Sequence, residues 1–248
     1  MAWVAVARSS ESTLATPVPS RFCGSGYLTT VMVRLASQLF PGNVVCREAS
    51  PLPEGLSLHP LEEEFLSRAG PKRRREFAAG RMLAREALRA LGHECEALLV
   101  GPDRAPLWPA GTVGSISHTD DYCVVVVANS PPHRSLGIDA EPAVPLEPGL
   151  WLQICTATEL AWLASQPLPD RGLLCHLLFA IKEAVYKYQA PISHTMLEFA
   201  DAEVTDLDLI SQSFRAVLER EDVPGFSKGA TFSGRVVISN GLIVAGIS

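Results

Sequence analysis

Apolar residues recur at helical spacing in two long segments of the chain. The first segment begins after Pro71 and is stopped by Gly92, and its apolar positions are three or four apart, at Phe77, Gly80, Ala84, Leu88 and Leu91. The second runs from Leu173 to Tyr188 with the same spacing, at Leu174, Leu178, Ile181, Val185 and Tyr188. Each pattern predicts a helix with one buried face. A short acidic helix is also predicted after Pro60, through Phe65.

Strands are predicted where apolar runs are short and bounded by turn residues. Residues 111–117 and 122–128 predict a hairpin whose loop lies at 118–121, and a further strand covers 136–141. Residues 235–238 and 242–245 flank Asn240-Gly241, the strongest short hairpin signal. Helices and strands are mixed without regular alternation, which predicts an α+β fold. Each half of the chain holds a helix and a hairpin, although no sequence repeat proves duplication.

The composition adds limits on the class of protein. The chain has 248 residues, 47% hydrophobic and 19% charged, which is typical of a globular protein with one large domain or two small ones. Its apolar runs are far shorter than the roughly 20 residues of a membrane-spanning helix. The N-terminus lacks the basic region of a signal peptide, so we expect a cytoplasmic protein. Six scattered cysteines favour free buried thiols over disulfides or zinc, and residues 8–20 predict a loose segment.

Charge is unevenly distributed along the chain. The net charge of −6 argues against non-specific nucleic-acid binding, yet residues 72–89 carry seven basic and two acidic residues, a local net charge of +5. Arg74, Arg81 and Arg85 would form one line on the first helix. This basic island indicates a local anion partner, but it is also typical of a solvated helix face.

Carboxylates that could share one cation occur on a strand and on the second helix. Asp139 and Glu141 are two residues apart, so both project from one strand face, and a divalent cation such as Mg²⁺ would neutralise their repulsion. Glu183 leaves the apolar stripe of its helix, and Lys187 lies one turn further along. A solvated strand face and a surface ion pair are the simpler alternatives. Lys182 could point to a bound anion or into water.

The loop of the first hairpin carries hydroxyls and an imidazole. The sequence Gly114-Ser115-Ile116-Ser117-His118-Thr119 could hydrogen-bond a phosphate, although alone it is an ordinary turn. The chain has no glycine-rich phosphate loop of the strand-loop-helix kind and no Gly-x-Ser-x-Gly elbow. P-loop, kinase and α/β-hydrolase functions therefore lose support.

Five segments together resemble one known family. They are KRRREFAAGRMLAREALRAL (72–91), RAPLWP (104–109), VGSISHT (113–119), GIDAEP (137–142) and FAIKEAVYK (179–187). Their order and separation resemble the 4′-phosphopantetheinyl transferases of the surfactin- and enterobactin-synthetase type. The resemblance implies a pseudo-twofold α+β fold of two similar half-domains with the active site in the cleft between them. We expect an N-terminal half-domain at 1–131 and a C-terminal half-domain at 132–248.

The resemblance also implies an activity. The enzyme would move the phosphopantetheine arm of coenzyme A to a serine of an acyl- or peptidyl-carrier protein, releasing adenosine 3′,5′-bisphosphate. Asp139, Glu141 and Glu183 would hold Mg²⁺. The catalytic set would be Glu183 as general base, Asp139, and Lys187 facing the phosphates. The expected coenzyme A contacts are Arg73, Arg81, Arg85, Arg104, Ser117, His118, Lys182 and Lys187. Arg85 could instead support its helix, and Arg104 is the one cation near a position where several relatives carry lysine.

Other functions stay open on sequence alone. A non-catalytic coenzyme A-binding or regulatory module could keep the same cleft, and another Mg²⁺-dependent phosphoryl transferase or hydrolase could use the same acids. The intact acid set favours an enzyme over a binder. The carrier could serve fatty-acid, polyketide or non-ribosomal peptide synthesis. We expect no nucleic-acid or membrane partner, and two fused half-domains favour a monomer.

Overall fold

The structure is a computed structural model that describes residues 34–248. The predicted loose segment at 8–20 and Cys23 lie outside the described residues. The helices are α1 (Pro60–Glu63), α2 (Pro71–Ala90), α3 (Pro148–Ile154), α4 (Ala157–Ser165) and α5 (Arg171–Ser193). The strands are β1 (Val45–Ala49), β2 (Thr112–His118), β3 (Cys123–Asn129), β4 (Gly137–Pro142), β5 (Ala202–Asp208), β6 (Ser213–Leu218), β7 (Thr231–Ser239) and β8 (Leu242–Ile247).

The predicted helices are all confirmed. Helix α2 begins with Pro71, which needs no hydrogen-bond partner for its nitrogen, and ends before Gly92, which takes a left-handed φ of 84°. Helix α5 is longer than predicted and ends at His194, whose φ of 52° is also left-handed. The short acidic helix is α1, followed by a 3₁₀ turn at Glu64–Leu66. The sequence patterns did not predict β1, α3, α4, β5 or β6.

The strands form two antiparallel sheets. The three-stranded sheet has the order β1-β3-β2 and contains the predicted hairpin of β2 and β3. The five-stranded sheet has the order β4-β8-β7-β6-β5. Asn240 and Gly241, with φ of 53° and 74°, turn the chain from β7 to β8 as the Asn-Gly signal predicts.

The core packs in layers of helix, sheet, sheet and helix. Helix α2 covers one face of the three-stranded sheet, where Val125 and Val127 are fully buried. The opposite face of that sheet packs against β4, so that Val124 and Val126 share a cluster with Ile138. Helix α5 covers the other face of the five-stranded sheet. This arrangement confirms the α+β fold.

Two features bear on the expected class of protein. The described cysteines are free thiols, of which Cys123, Cys155 and Cys175 are buried and Cys46 and Cys95 are half-buried. Within residues 34–248, every helix is too short or too polar to cross a bilayer.

Candidate active site

Strand β4 lies directly against helix α5. A Cβ atom at Gly137 would overlap the carbonyl oxygen of Ala184 and would lie 2.9 Å from the backbone nitrogen of Tyr188. Only glycine permits this approach. Because alternate residues of a strand share a face, Asp139 and Glu141 point to the same side as Gly137, toward α5. The solvated-face alternative therefore fails for Asp139, which is 2% exposed.

The facing side of α5 carries His176, Glu183 and Lys187. These residues are seven and four positions apart and so lie in one stripe along the helix. Lys187 Nζ is 2.6 Å from Asp139 Oδ1, and His176 Nε2 is 3.5 Å from Glu141 Oε2. The contacts show that α5 and β4 run past each other in opposite directions, with Lys187 near the start of β4 and His176 near its end.

Ser117, at the end of β2, completes a small hydrogen-bond network. Its Oγ donates to Asp139 Oδ1 at 3.0 Å and accepts from Lys187 Nζ at 3.1 Å. The backbone nitrogen of Ala140 donates to the same Oγ at 3.2 Å. Residues from the first hairpin, from β4 and from α5 therefore meet at one point, and Ser117, Asp139 and Lys187 are all residues that the sequence analysis singled out for the site.

The three acids affect one another electrostatically. Burial, with the nearby charge of Asp139, raises the pKa of Glu183 to about 8. Burial likewise raises the pKa of Glu141, with a further contribution from Asp139 that His176 partly offsets. Burial alone would lower the pKa of Lys187, but Asp139 and Glu183 raise it overall. Lys187 therefore stays charged and partly balances the acids.

His176 is a site residue that the sequence patterns did not single out. The His176 side chain is 6% exposed, and since a carbonyl can only accept, its Nδ1 donates to the oxygen of Val144 at 2.8 Å. Burial lowers the pKa of His176, but Glu141 and Val144 more than offset this and raise it. The sequence does contain a signal for this residue: His176 precedes Glu183 by seven residues, so the two lie on the same face of the helix.

The donor set fits a hard divalent cation. Asp139 Oδ2 and Glu183 Oε1 are buried and have no hydrogen-bond partner in the part of the chain that the structure describes. Buried carboxylate oxygens are normally paired, so these two oxygen atoms are suited to bind a cation or a hydrogen-bond donor. Within the same residues, no three His, Cys, Asp or Glu side chains already converge as metal ligands. The acids provide the right oxygen chemistry, without a preformed coordination shell.

Arg73 and His118 extend the site along the end of β2. Arg73 Nη1 lies 2.7 Å from His118 Nε2. Since arginine only donates, His118 Nε2 is the acceptor and its proton is assigned to Nδ1, which lies 3.6 Å from Glu76 Oε2. His118 follows Ser117 directly, so the basic helix α2 and the acids of β4 are joined through two adjacent residues of β2.

Arg81 is the most deeply buried cation of α2. It is 5% exposed, its guanidinium lies 4.0 Å from the centre of the Phe77 ring, and its Nε has no hydrogen-bond partner among the described residues. Burial lowers the pKa of Arg81 to about 10, against the raising effect of Glu62. A buried guanidinium with an unused donor is suited to an anionic ligand.

Most of the basic island is paired with acids outside it. Arg85 Nη1 contacts both carboxylate oxygens of the fully buried Glu62, at 2.8 and 2.9 Å. Other pairs are Lys72 with Asp120, Arg74 with Glu63, and Arg75 with Glu54 and Asp121. In the predicted line of arginines on α2, Arg74 and Arg85 are thus neutralised by acids. Arg85 takes the structural role that the sequence allowed as its alternative.

The expected coenzyme A contact of Lys182 is corrected by the structure. Its side chain is 1% exposed, and Nζ donates to Ile154 O, Glu159 Oε2 and Phe199 O at 2.7–2.8 Å. An ammonium has three hydrogens, and all three are used inside the protein. Lys182 therefore joins α3, α4 and α5 to the segment before β5 and has no donor left for a phosphate.

Arg104 lies in the exposed turn between Gly101 and Ala105, with a left-handed φ of 67°. The neighbouring Asp103 contributes to the raised pKa of Tyr186 on α5, after burial and Glu183. The turn is therefore near the helix that carries the acids, and a ligand contact of Arg104 stays a prediction.

Comparison with known proteins gives matches over both sheets. Residues 61–128 match the family model of the 4′-phosphopantetheinyl transferase N-terminal domain, and residues 135–235 match that of the 4′-phosphopantetheinyl transferase superfamily. The chain is 36% identical over 222 residues to 4′-phosphopantetheinyl transferase Npt of Nocardia iowensis, covering 85% of this chain and 97% of the relative. It is 38% identical over 195 residues to 4′-phosphopantetheinyl transferase Svp of Streptomyces mobaraensis, covering 77% and 78%.

A more distant similarity is to enterobactin synthase component D of Escherichia coli (strain K12), with 37% identity over 124 residues that cover 49% of this chain and 57% of the relative. The first two relatives are matched over most of their length, and the two family models cover the segments that hold α2, the first hairpin, β4 and α5. The chain therefore belongs to the 4′-phosphopantetheinyl transferase superfamily.

Proposed function

We propose that this transferase moves the phosphopantetheine arm of coenzyme A to a serine of an acyl- or peptidyl-carrier protein in a Mg²⁺-dependent reaction. The serine oxygen forms a bond to the β-phosphorus, the bond from that phosphorus to the bridging oxygen breaks, and adenosine 3′,5′-bisphosphate leaves with the electron pair. The serine proton passes to a base. Membership of the family supports the transfer reaction. The packing of β4 against α5 supports its dependence on Mg²⁺, because it brings the acids of the two elements together.

Asp139, Glu141 and Glu183 are the proposed Mg²⁺ ligands. The observation that carries this proposal is that one buried oxygen of Asp139 and one of Glu183 lack partners among the described residues. The two carboxylates are also close enough for the charge of Asp139 to raise the pKa of Glu183. When bound, Mg²⁺ would balance the acids and the phosphate charge and would polarise a phosphoryl oxygen.

Glu183 is the proposed general base, directly or through water, because it faces β4 from the opposite element with an oxygen that no described residue contacts by a hydrogen bond. Lys187 is proposed to stabilise negative charge that develops on the phosphates. It already forms an ion pair with Asp139, which fixes its ammonium at the site rather than in solvent.

Arg73, Arg81 and His118 are the proposed contacts of the nucleotide phosphates. They support the proposal because Arg73 reaches His118 and because Arg81 keeps a buried donor without a partner among the residues described. The phosphates of one extended ligand could then lie along the end of β2, between the acids and α2.

We further propose the pseudo-twofold arrangement, with this site in the cleft between half-domains at 1–131 and 132–248. We also propose that the protein is a cytoplasmic monomer.

The proposal is tested by mass spectrometry of an apo-carrier protein incubated with the full chain, coenzyme A and Mg²⁺. The expected result is a carrier heavier by one phosphopantetheine, with equimolar release of adenosine 3′,5′-bisphosphate and no gain after chelation of Mg²⁺. A panel of fatty-acid, polyketide and non-ribosomal peptide carriers would identify the carrier class. Coenzyme A binding with no mass gain on any carrier would instead indicate a binding module, and bisphosphate release without a carrier would indicate a hydrolase.

A further inference from the structure

Every hydrogen-bonding position of the Ser117 hydroxyl is used within the protein. The single hydrogen is donated to Asp139 Oδ1, and the two acceptor positions take Lys187 Nζ and the backbone nitrogen of Ala140. The residue is also buried, at 6% exposure. Ser117 therefore has no hydrogen left to donate to a phosphate of coenzyme A, which was its expected role.

Ser117 belongs to a pair of serines that connect the two sheets. Along one edge, β4 pairs with β8. Backbone nitrogens on its other edge donate to side chains of β2, Ile138 to Ser115 Oγ at 3.1 Å and Ala140 to Ser117 Oγ at 3.2 Å. The two serines thus make equivalent bonds to β4, but Ser117 has the additional contacts with Asp139 and Lys187.

The contacts make the two oxygens of Asp139 unequal. Oδ1 accepts from Lys187 at 2.6 Å and from Ser117 at 3.0 Å, while Oδ2 is buried and has no partner among residues 34–248. Two donors on one oxygen fix the rotation of the carboxylate. Without the hydroxyl, Lys187 alone would hold Asp139, and the carboxylate could turn.

We propose that Ser117 is a positioning residue that holds Asp139 Oδ1 toward Lys187 and thereby presents Oδ2 to the divalent cation. This inference rests on the proposed function, because it assumes that Asp139 binds the cation. Ser117 would then orient a ligand of the cation rather than contact the nucleotide phosphates of coenzyme A. Residues that orient a metal ligand typically change metal affinity about 10- to 100-fold when they are removed.

The test is Mn²⁺ binding to the full chain without coenzyme A, measured by electron paramagnetic resonance for wild type, Ser117→Ala and Ser115→Ala. We expect Ser117→Ala to weaken Mn²⁺ binding about 10-fold or more. Ser115→Ala is the matched control, because it removes the equivalent bond to β4, and it should bind Mn²⁺ like wild type. Coenzyme A affinity measured with a chelator present should be the same in all three proteins.

Thermal unfolding of each variant shows whether it is folded. If Ser117→Ala does not fold, Ser117→Cys keeps the volume and weakens the donor, and the same loss of Mn²⁺ affinity is expected. Unchanged Mn²⁺ affinity in a Ser117 variant, or equal losses in the Ser115 and Ser117 variants, would overturn the inference. A wild type that binds no Mn²⁺ would overturn the metal site itself, so the two failures are distinguishable.

Discussion

The carbonyl oxygen of Ala184 occupies the space that a side chain at Gly137 would need. This contact brings the backbone of β4 against α5 and so places Asp139 and Glu141 opposite Glu183. The glycine of the Gly-Ile-Asp-Ala-Glu segment thus determines the distance between the two elements that carry the acids.

Gly137→Ala is expected to separate β4 from α5. Overpacking of a tight interface costs about 1–3 kcal/mol of unfolding free energy, and the acids would move with the strand. We therefore expect a lower denaturation midpoint together with a large loss of transfer activity. Gly149→Ala is the control, because a Cβ there would meet nothing within 4 Å. Wild-type activity in Gly137→Ala would show that the close approach is not needed.

Lys182 is expected to matter for stability more than for ligand binding. Lys182→Met would leave Glu159, which is 2% exposed, as a buried charge without its cation. Breaking such a pair costs about 3–5 kcal/mol of unfolding free energy. Urea unfolding measures this loss. Combining Lys182→Met with Glu159→Gln should cost less than the two single changes together, because the pair is then removed as a unit.

A direct contact between Lys182 and coenzyme A would give a different pattern. Coenzyme A affinity, measured by calorimetry on folded Lys182→Met protein, should stay close to that of wild type. A large loss of coenzyme A affinity with unchanged stability would show that Lys182 contacts coenzyme A directly.

The stability of the metal-free protein should depend on the pH through Glu183. Its pKa of about 8 lies above the ordinary value of 4.5, so the folded state holds the proton more tightly than the unfolded chain. The free energy of unfolding should therefore fall as the pH rises between these two pKa values, by at most about 1.4 kcal/mol per pH unit. Glu141 and His176 also have raised pKa values and act in the same direction.

Glu183→Gln isolates this contribution. Denaturant unfolding with a chelator at about pH 5, 6.5 and 8 should show a shallower decline in the variant than in wild type. Saturating Mn²⁺ should reduce the decline in wild type, since bound metal favours the ionised carboxylate. Parallel pH profiles for the two proteins would contradict the raised pKa of Glu183.

Neutralising the acids one at a time should remove transfer. Asp139→Asn, Glu141→Gln and Glu183→Gln each keep the side-chain volume and remove one charge, and each is expected to lower kcat/KM at least about 100-fold. Glu147→Gln changes an exposed acid close in sequence and should be neutral. Measurement of bisphosphate release gives the rates. A variant with activity close to wild type would exclude its acid from the site.

Much of this site could be predicted from sequence because its geometry is local. Alternation in β4 places Asp139 and Glu141 on one face, and helical spacing places Lys187 beside Glu183. The two long helices and the hairpins β2–β3 and β7–β8 were predicted for the same reason, since each depends on a repeating pattern or on a turn signal such as Asn240-Gly241.

The errors concern pairs that are distant in sequence. Glu62 neutralises Arg85 from another helix, and Glu159 neutralises Lys182 from the unpredicted α4. Counting charges within residues 72–89 could not reveal these partners. His176 could have been found, because seven residues place it on the face of Glu183, although its contact with Glu141 depends on how β4 lies against α5.

The central claim is that one divalent cation is held between β4 and α5. The most direct measurement is an anomalous difference map from crystals of the full chain grown with Mn²⁺ and coenzyme A. We predict a single peak within coordination distance of Asp139 Oδ2 and Glu183 and beside the pyrophosphate, and no peak in crystals of Asp139→Asn. A Mn²⁺ peak elsewhere, or bound coenzyme A with no peak between these acids, would contradict the account.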